Sequence, residues 1–412
     1  MRKLKILIGM ILLSISLSAE EKRFITVSQD DSGDFKTITA AIQSLPFLNY
    51  RRTVIFIKNG VYKEKIRIDQ DYITLRGESR ENTILQYSQL RTDWIANKDS
   101  IGAAVINING DDFILENITV ENTQPEIGPH AFTIYGTGTR TILLNCNIIS
   151  KGGDTVSLWD YNTGMYYHAN CYFEGAVDFV CPRGWCFIRD SKFYEVKKTA
   201  SIWHAGGDNI NQKFVIVNSQ FDGVKGFELG RHHYEAQFYL IDCTFSDKMS
   251  TRPIYRVTYP NEPERDRPFN WGERYYFSDN KTDLKLDWNT NNLEKAYGSP
   301  DKKQITAKWT FNGMWDPESH VGVEVVSFQI SENILLLKLS EKVTVVGKPE
   351  LVTTDLEKLE YVDGAGSDTI RFRSENLLKQ NALMGKLLLE KGNIFASIAS
   401  IYPRPLILKF PF

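Results

Sequence analysis

An internal repeat constrains this chain more than any other feature. LENITV at 115–120, LNCNII at 144–149, ANCYFE at 169–174, RDSKFY at 189–194, VNSQFD at 217–222 and IDCTFS at 241–246 share one pattern. Each has Asn or Asp, usually a small residue next, and an apolar residue one or two beyond. The anchors Asn117, Asn145, Asn170, Asp190, Asn218 and Asp242 lie 28, 25, 20, 28 and 24 residues apart. A period in the twenties built from short strands and turns predicts a stacked solenoid. Leucine-rich repeats share that period, but their multiple-Leu consensus and helical segments are missing. The fold expected is all-β: a right-handed parallel β-helix.

In such a stack each coil pairs with the next, so equivalent residues sit about 4.8 Å apart. Cys146, Cys171 and Cys243 share a phase with Ser191 and Ser219, which reads as an inward ladder of small side chains rather than disulfides or a metal site. Cys181 and Cys186, in CPRGWC, could close a small loop in an oxidising compartment. Phase also links two aspartates. Asp154 in GGDTV lies nine residues after Asn145, and Asp178 in AVDFV lies eight after Asn170. One rung of separation brings their carboxylates to within about 5–7 Å on one face. Val177, Phe179 and Val180 surround Asp178 with apolar groups, a setting that shifts a carboxyl pKa.

Paired carboxylates suit several chemistries: glycoside hydrolysis, ester hydrolysis with one nucleophile and one acid/base, or calcium-holding lyase chemistry. Two aspartates in turns at a coil corner is the plain alternative. Arg231, in GFELGRHHYEAQF, lies two coils beyond Asp178, roughly 10 Å by rung count, within the reach of a long side chain plus some loop movement. An Arg beside one aspartate lowers its pKa and leaves the other raised, giving one ionised nucleophile and one protonated acid.

The remaining chain frames this core. MRKLK, the apolar run Ile6 to Leu17 and Leu17-Ser18-Ala19 read as a secretory signal peptide over 1–19, which predicts a secreted or periplasmic protein. Thr37 is placed to cap a helix over TAAIQSL. TVIFI at 53–57, ITLRG at 73–77 and AVININ at 104–109 read as strands, and helical periodicity is absent from there to about residue 280. NTNNLEKAY reads as a helical turn. Beyond Val321 alternating strands predict a small β-sandwich. The division expected is therefore a β-helix catalytic domain over 20–318 and an accessory β-sandwich domain over 319–412. A net charge of −2 argues against a nucleic-acid partner, no internal stretch is apolar enough to span a bilayer, and a monomer is expected.

With these residues in place, the chain resembles the pectin methylesterases (carbohydrate esterase family 8), from about residue 24 to 318. The likeness runs through ITVSQDDSGDFKTITAAIQSLP, VIFIKNGVYKEKI and ITLRGESRENTIL. It is most specific at GGDTV, CYFEGAVDFV and ELGR, where the family carries QDTL, CYIEGTVDFIFG and LGRPW. The resemblance implies a parallel β-helix, no metal or organic cofactor, and pectin (homogalacturonan) as the polysaccharide partner. It implies that Asp178 attacks the methyl ester of a galacturonate unit, that Asp154 protonates departing methanol and then deprotonates water, and that Arg231 orients Asp178. Two oxyanion-stabilising glutamines of the family fall at His130 and Gly153, where a ring N–H and a backbone N–H are the expected substitutes. Substrate contacts fall at Ser157, Cys181 and His233, with Trp159, Tyr161, Tyr166 and Tyr167 offered by a longer loop. The alternatives are a non-catalytic or weakly active pectin-binding protein and a calcium-dependent pectate lyase.

Overall fold

All six repeat anchors adopt left-handed backbone, with φ between 47° and 56°. Asn and Asp visit this region at lower cost than other residues with a Cβ, which is why the repeat is written in those two amino acids. Their side chains also stack. The Asn145 amide donates to Asn117 Oδ1 at 2.8 Å, the Asn170 amide to Asn145 Oδ1 at 2.8 Å, and the Asn218 amide to Asp190 Oδ1 at 2.5 Å. The anchors therefore turn each coil, and these bonds tie neighbouring coils together.

The structure, a computed structural model, describes residues 24–318 apart from positions 51, 208 and 267, and the stretches 325–339, 343–353, 357–378, 387–396 and 407–408. The signal-peptide reading of 1–19 lies outside the described residues. From 24 to 278 the strands form a right-handed parallel β-helix. A ten-stranded parallel sheet makes one wall and an eight-stranded parallel sheet the second. The third wall is split into four- and three-stranded sheets, joined only by the single bridges Val156–Val180 and Val180–Ile202. The regular ladder thus gives way at the coil that carries Asp178.

The interior is filled by ladders. Phe173, Phe193, Phe221 and Phe245 are register partners on successive rungs, with neighbouring ring centroids 5.3, 4.4 and 5.7 Å apart. Cys146, Cys171 and Cys243 are buried free thiols, as expected of a small-residue ladder. Cys181 and Cys186 are also free and buried. They belong to different walls, Cys186 within the main core and Cys181 against Trp203 and Ala205, so the small disulfide loop is absent. The helix Ile38–Gln43 is capped by Thr37, whose hydroxyl accepts from the Ala40 N–H, and buries Ile38, Ala41 and Ile42. The strands Thr53–Ile57 and Ile73–Gly77 fall where the sequence places them. A second helix, Arg91–Ala96, interrupts the stretch read as free of helix. It buries none of its residues, so it left no apolar periodicity to read.

The outer face of the ten-stranded sheet is covered by the segment carrying the 3₁₀ turn Leu293–Lys295 and the helix Ala307–Thr310, which packs Ala296, Ile305, Ala307 and Phe311 against it. The C-terminal strands form one seven-stranded antiparallel sheet around Leu335, Leu337, Leu359, Ile370 and Phe372. The second sheet that a sandwich requires is not among the described residues. No described helix is long and apolar enough to cross a membrane.

Candidate active site

The two aspartates share one rung position on neighbouring coils. Val156 bridges Val180, and the Asp154 N–H donates to the Val177 carbonyl at 3.1 Å, so the 24-residue offset holds along the whole segment. Both aspartates are left-handed, at φ 58° each, and Val177 joins them at 42°. A β-branched residue in that region is strained. The strain sits where the coil departs from ladder geometry, next to Asp178.

Arg231 reaches Asp178 as a fork. Its Nε donates to Oδ1 at 2.9 Å and to Oδ2 at 3.2 Å, and a terminal nitrogen donates to Oδ2 at 2.8 Å. Register supplies the reach: Arg231 pairs with Trp203, whose strand neighbour Ile202 bridges Val180. Asp178 is 7% exposed. Burial pushes its carboxyl above the ordinary range, while the hydrogen bonds and charge of Arg231 pull it back. The expected net lowering is not observed, because burial outweighs the single guanidinium. Asp154 behaves as expected. Burial first, then the charge of Asp178, raise its carboxyl to about 7, against the pull of Arg183, Arg91 and Arg231.

His130 Nε2 lies 3.4 Å from Asp154 Oδ2. Burial, Arg91 and Arg231 lower the imidazole pKa, which favours the neutral ring. A neutral ring keeps one N–H, so His130 can donate at this position. Gly153 cannot do so through its backbone. Its N–H donates to the Pro129 carbonyl at 3.0 Å, and its carbonyl accepts from Ala131 at 3.1 Å. The backbone N–H expected at Gly153 is consumed by the ladder.

Ser157 and Cys181 are buried rather than open to a ligand. The Ser157 hydroxyl donates to the Asp154 carbonyl at 2.9 Å and lies 3.1 Å from Cys181 Sγ. They therefore support the Asp154 turn. Tyr166 and Tyr167 are fully buried, with Tyr166 in the main core and Tyr167 in the outer packing layer, so neither contributes to a cleft. His232 is buried as well and contacts the Tyr234 carbonyl and the Tyr275 hydroxyl. Trp159 packs edge-on to Tyr135 at 5.2 Å. His233 Nδ1 accepts from Trp203 Nε1 at 2.6 Å, and its ring stacks on Tyr259.

Sequence reasoning missed Arg183. Its guanidinium lies 3.7 Å from the Trp159 ring centroid, 4.4 Å from Tyr161 and 5.2 Å from Trp203. Among the described residues no carboxylate pairs with it. The signal was available in CPRGWC, where a lone Arg follows the Asp178 coil amid aromatic residues. Among the described residues no three His, Cys, Asp or Glu side chains gather as a metal site.

A parallel β-helix carrying an Arg-clamped aspartate beside a second aspartate of raised pKa is a β-helix protein with a candidate acid–nucleophile pair. Residues 24–224 match the Pectinesterase family model, and this match together with the relatives and solved structures supports the pectinesterase family for this chain. It is similar to Pectinesterase 31 of Arabidopsis thaliana, 34% identical over 38% of this chain and 51% of that relative. It is also similar to Pectinesterase QRT1 of Arabidopsis thaliana, 26% identical over 61% of this chain and 68% of that relative. The chain spans about half the length of Pectinesterase 31 and of Probable pectinesterase 49. The fold is similar to that of pectin methylesterase from carrot (20% identity, 72% of this chain and 95% of that one, TM-score 0.55). It is equally similar to that of pectin methylesterase PemA from Erwinia chrysanthemi (21% identity, 73% and 99%, TM-score 0.55).

Proposed function

We propose that this chain is a secreted carbohydrate esterase that hydrolyses methyl esters of galacturonate units in pectin. One observation carries the reading: Asp178 is held by a forked Arg231 while Asp154, on the adjacent rung, has a carboxyl raised to about 7. The pair supplies the two protonation states that the chemistry needs. The Asp178 carboxylate attacks the ester carbonyl carbon, and the tetrahedral intermediate collapses as Asp154 protonates the departing methoxide. Methanol leaves, and an acyl–Asp178 anhydride remains. Asp154, now ionised, takes a proton from water; the hydroxide adds to the acyl carbon, Asp178 is expelled as its carboxylate, and the galacturonic acid group released gives its proton to solvent. His130, whose Nε2 lies 3.4 Å from Asp154 Oδ2, would face the oxyanion. The proposal places the catalytic domain at 20–318 and assigns 319–412 an accessory role. Secretion rests on the charged and apolar start of the chain.

Methanol release from methyl-esterified galacturonan tests the reading, with Asp178→Ala expected to abolish it. A second reading, a pectin-binding protein of little activity, is favoured by the glycine at 153. Binding of esterified galacturonan without any methanol release would select it. Products absorbing in the ultraviolet and lost on chelation would instead select the calcium-dependent pectate lyase reading.

A further inference from the structure

Away from the aspartate pair, the outer face of the ten-stranded sheet holds a cavity of about 640 Å³. Its floor is a row of three register partners. The Phe214 N–H donates to the Gln237 carbonyl, and the Phe238 N–H to the Arg274 carbonyl, so Lys213, Gln237 and Arg274 sit on successive rungs about 4.8 Å apart. Lys213 and Arg274 are each 8% exposed. Two cations buried two rungs apart repel each other, and burial followed by the charge of Arg274 lowers the Lys213 amine to about 8.

Lys213 Nζ donates to the Asn211 carbonyl at 3.1 Å and Asn312 Oδ1 at 2.6 Å, and lies 4.8 Å from the Trp309 ring centroid. Arg274 donates from one terminal nitrogen to the Ile210 carbonyl at 2.8 Å, and its buried Nε has no partner. Glu235 acts on Arg274 only through its field and accepts instead from the Asn270 and Trp271 N–H groups. Among the described residues no carboxylate hydrogen-bonds either cation. Beside this row Tyr239 and Tyr276 pack 4.7 Å apart, with Trp309 edge-on to Tyr239. At the rim Tyr297 is 96% exposed. Ligand sites are typically cavities of this size, lined by aromatic rings around a few convergent polar groups.

We propose that this cavity is a second saccharide site, separate from the aspartate pair, that binds an acidic sugar by its carboxylate. Lys213 and Arg274 take the carboxylate through charge-assisted hydrogen bonds, and the rings pack against the sugar body. The choice of a uronate rests on the esterase reading, because an esterase of this kind leaves free carboxylates along the polymer. The site would then hold the polymer by its de-esterified stretches while the cleft acts elsewhere.

Hydrogen–deuterium exchange on the full chain, with and without trigalacturonate, tests this. Slower exchange is expected across 296–304, and a neutral trisaccharide should give none. Lys213→Gln should weaken trigalacturonate binding at this site about tenfold, the loss of one charge-assisted contact. Tyr297→Ala, at an exposed position with no folding role, should weaken it severalfold. Protection confined to peptides around Asp154 and Asp178, equal protection by the neutral sugar, or unchanged affinity in both variants would each overturn the proposal. Methanol release separates the two readings. Protection at 296–304 without any methanol release supports this site and sinks only the esterase reading; methanol release without that protection sinks only this site.

Discussion

Replacing Asp154 by Asn should stabilise the protein in alkaline solution while removing its activity. The Asp154 carboxyl is raised from its ordinary 3.8 to about 7, first by burial and then by the charge of Asp178. In the unfolded chain it ionises near 3.9. Between those values the folded state holds a proton that the unfolded state has released, so stability falls as pH rises through this window. The difference corresponds to roughly 4 kcal/mol once pH exceeds 7, at about 1.36 kcal/mol per pKa unit. Relaxation and the shared titration with Asp178 reduce this, and about 2–4 kcal/mol is expected. Asn tolerates the φ of 58° at this position and carries no charge to bury. Denaturant unfolding of wild type and Asp154→Asn at pH 4, 6 and 8 is the assay. The two should be nearly equal at pH 4, and the Asn variant should lead increasingly up to pH 8. A difference that does not change with pH, or a variant less stable than wild type at pH 8, would refute the burial argument.

Loss of the fork in Arg231→Gln should leave Asp178 buried and unpaired, raising its pKa further. The acidic limb of kcat/KM should move up by about one to two pH units, and a stationary limb would detach Arg231 from this role. In wild type, kcat/KM should also fall as pH rises past about 7, because Asp154 then loses the proton it must donate; an unchanged rate to pH 9 would exclude Asp154 as the acid. His130→Gln, which restores a carboxamide donor beside Asp154, should raise turnover by about tenfold. Collapse of activity would instead make the imidazole the better oxyanion donor. Asn145→Ala should cost about 1–3 kcal/mol through its φ of 51° and the lost amide ladder. Asn145→Gly should recover the backbone part, and thermal unfolding of the two variants distinguishes the contributions.

How legible each part was follows from whether its physics is local. The anchors could be read because left-handed turns select Asn and Asp at every coil. The aspartate pair could be read because a solenoid converts sequence offset into distance. Arg231 was legible for the same reason, and the fork shows that no loop movement is needed to close the gap. Arg183 was not, because its place between Trp159, Tyr161 and Trp203 depends on where three separate turns project, which periodicity does not encode. Ser157 and Cys181 were named from the resemblance alone; here both are small side chains buried beneath the Asp154 turn, and a motif position does not report burial. Tyr166 and Tyr167 alternate between the two sides of one strand, and each side is covered.

The same rung logic explains how the site can depart from its family without losing its shape. Each functional side chain stands on its own coil, and the coils are joined by backbone hydrogen bonds that no side chain controls. A change at His130 therefore alters chemistry while leaving Asp154, Asp178 and Arg231 in place. Gly153 is nonetheless a tight position. A Cβ there would lie 3.2 Å from the Val177 carbonyl oxygen and 3.4 Å from that of Gly128. Val177 is strained already and adjoins Asp178, so a larger residue at 153 presses on the turn that aims the nucleophile. His130 makes no such demand, since its side chain is about half exposed. In the proposed reaction, oxyanion stabilisation would therefore be adjustable at 130 and constrained at 153, and the glycine and the strained Asp178 turn are two halves of one structural choice.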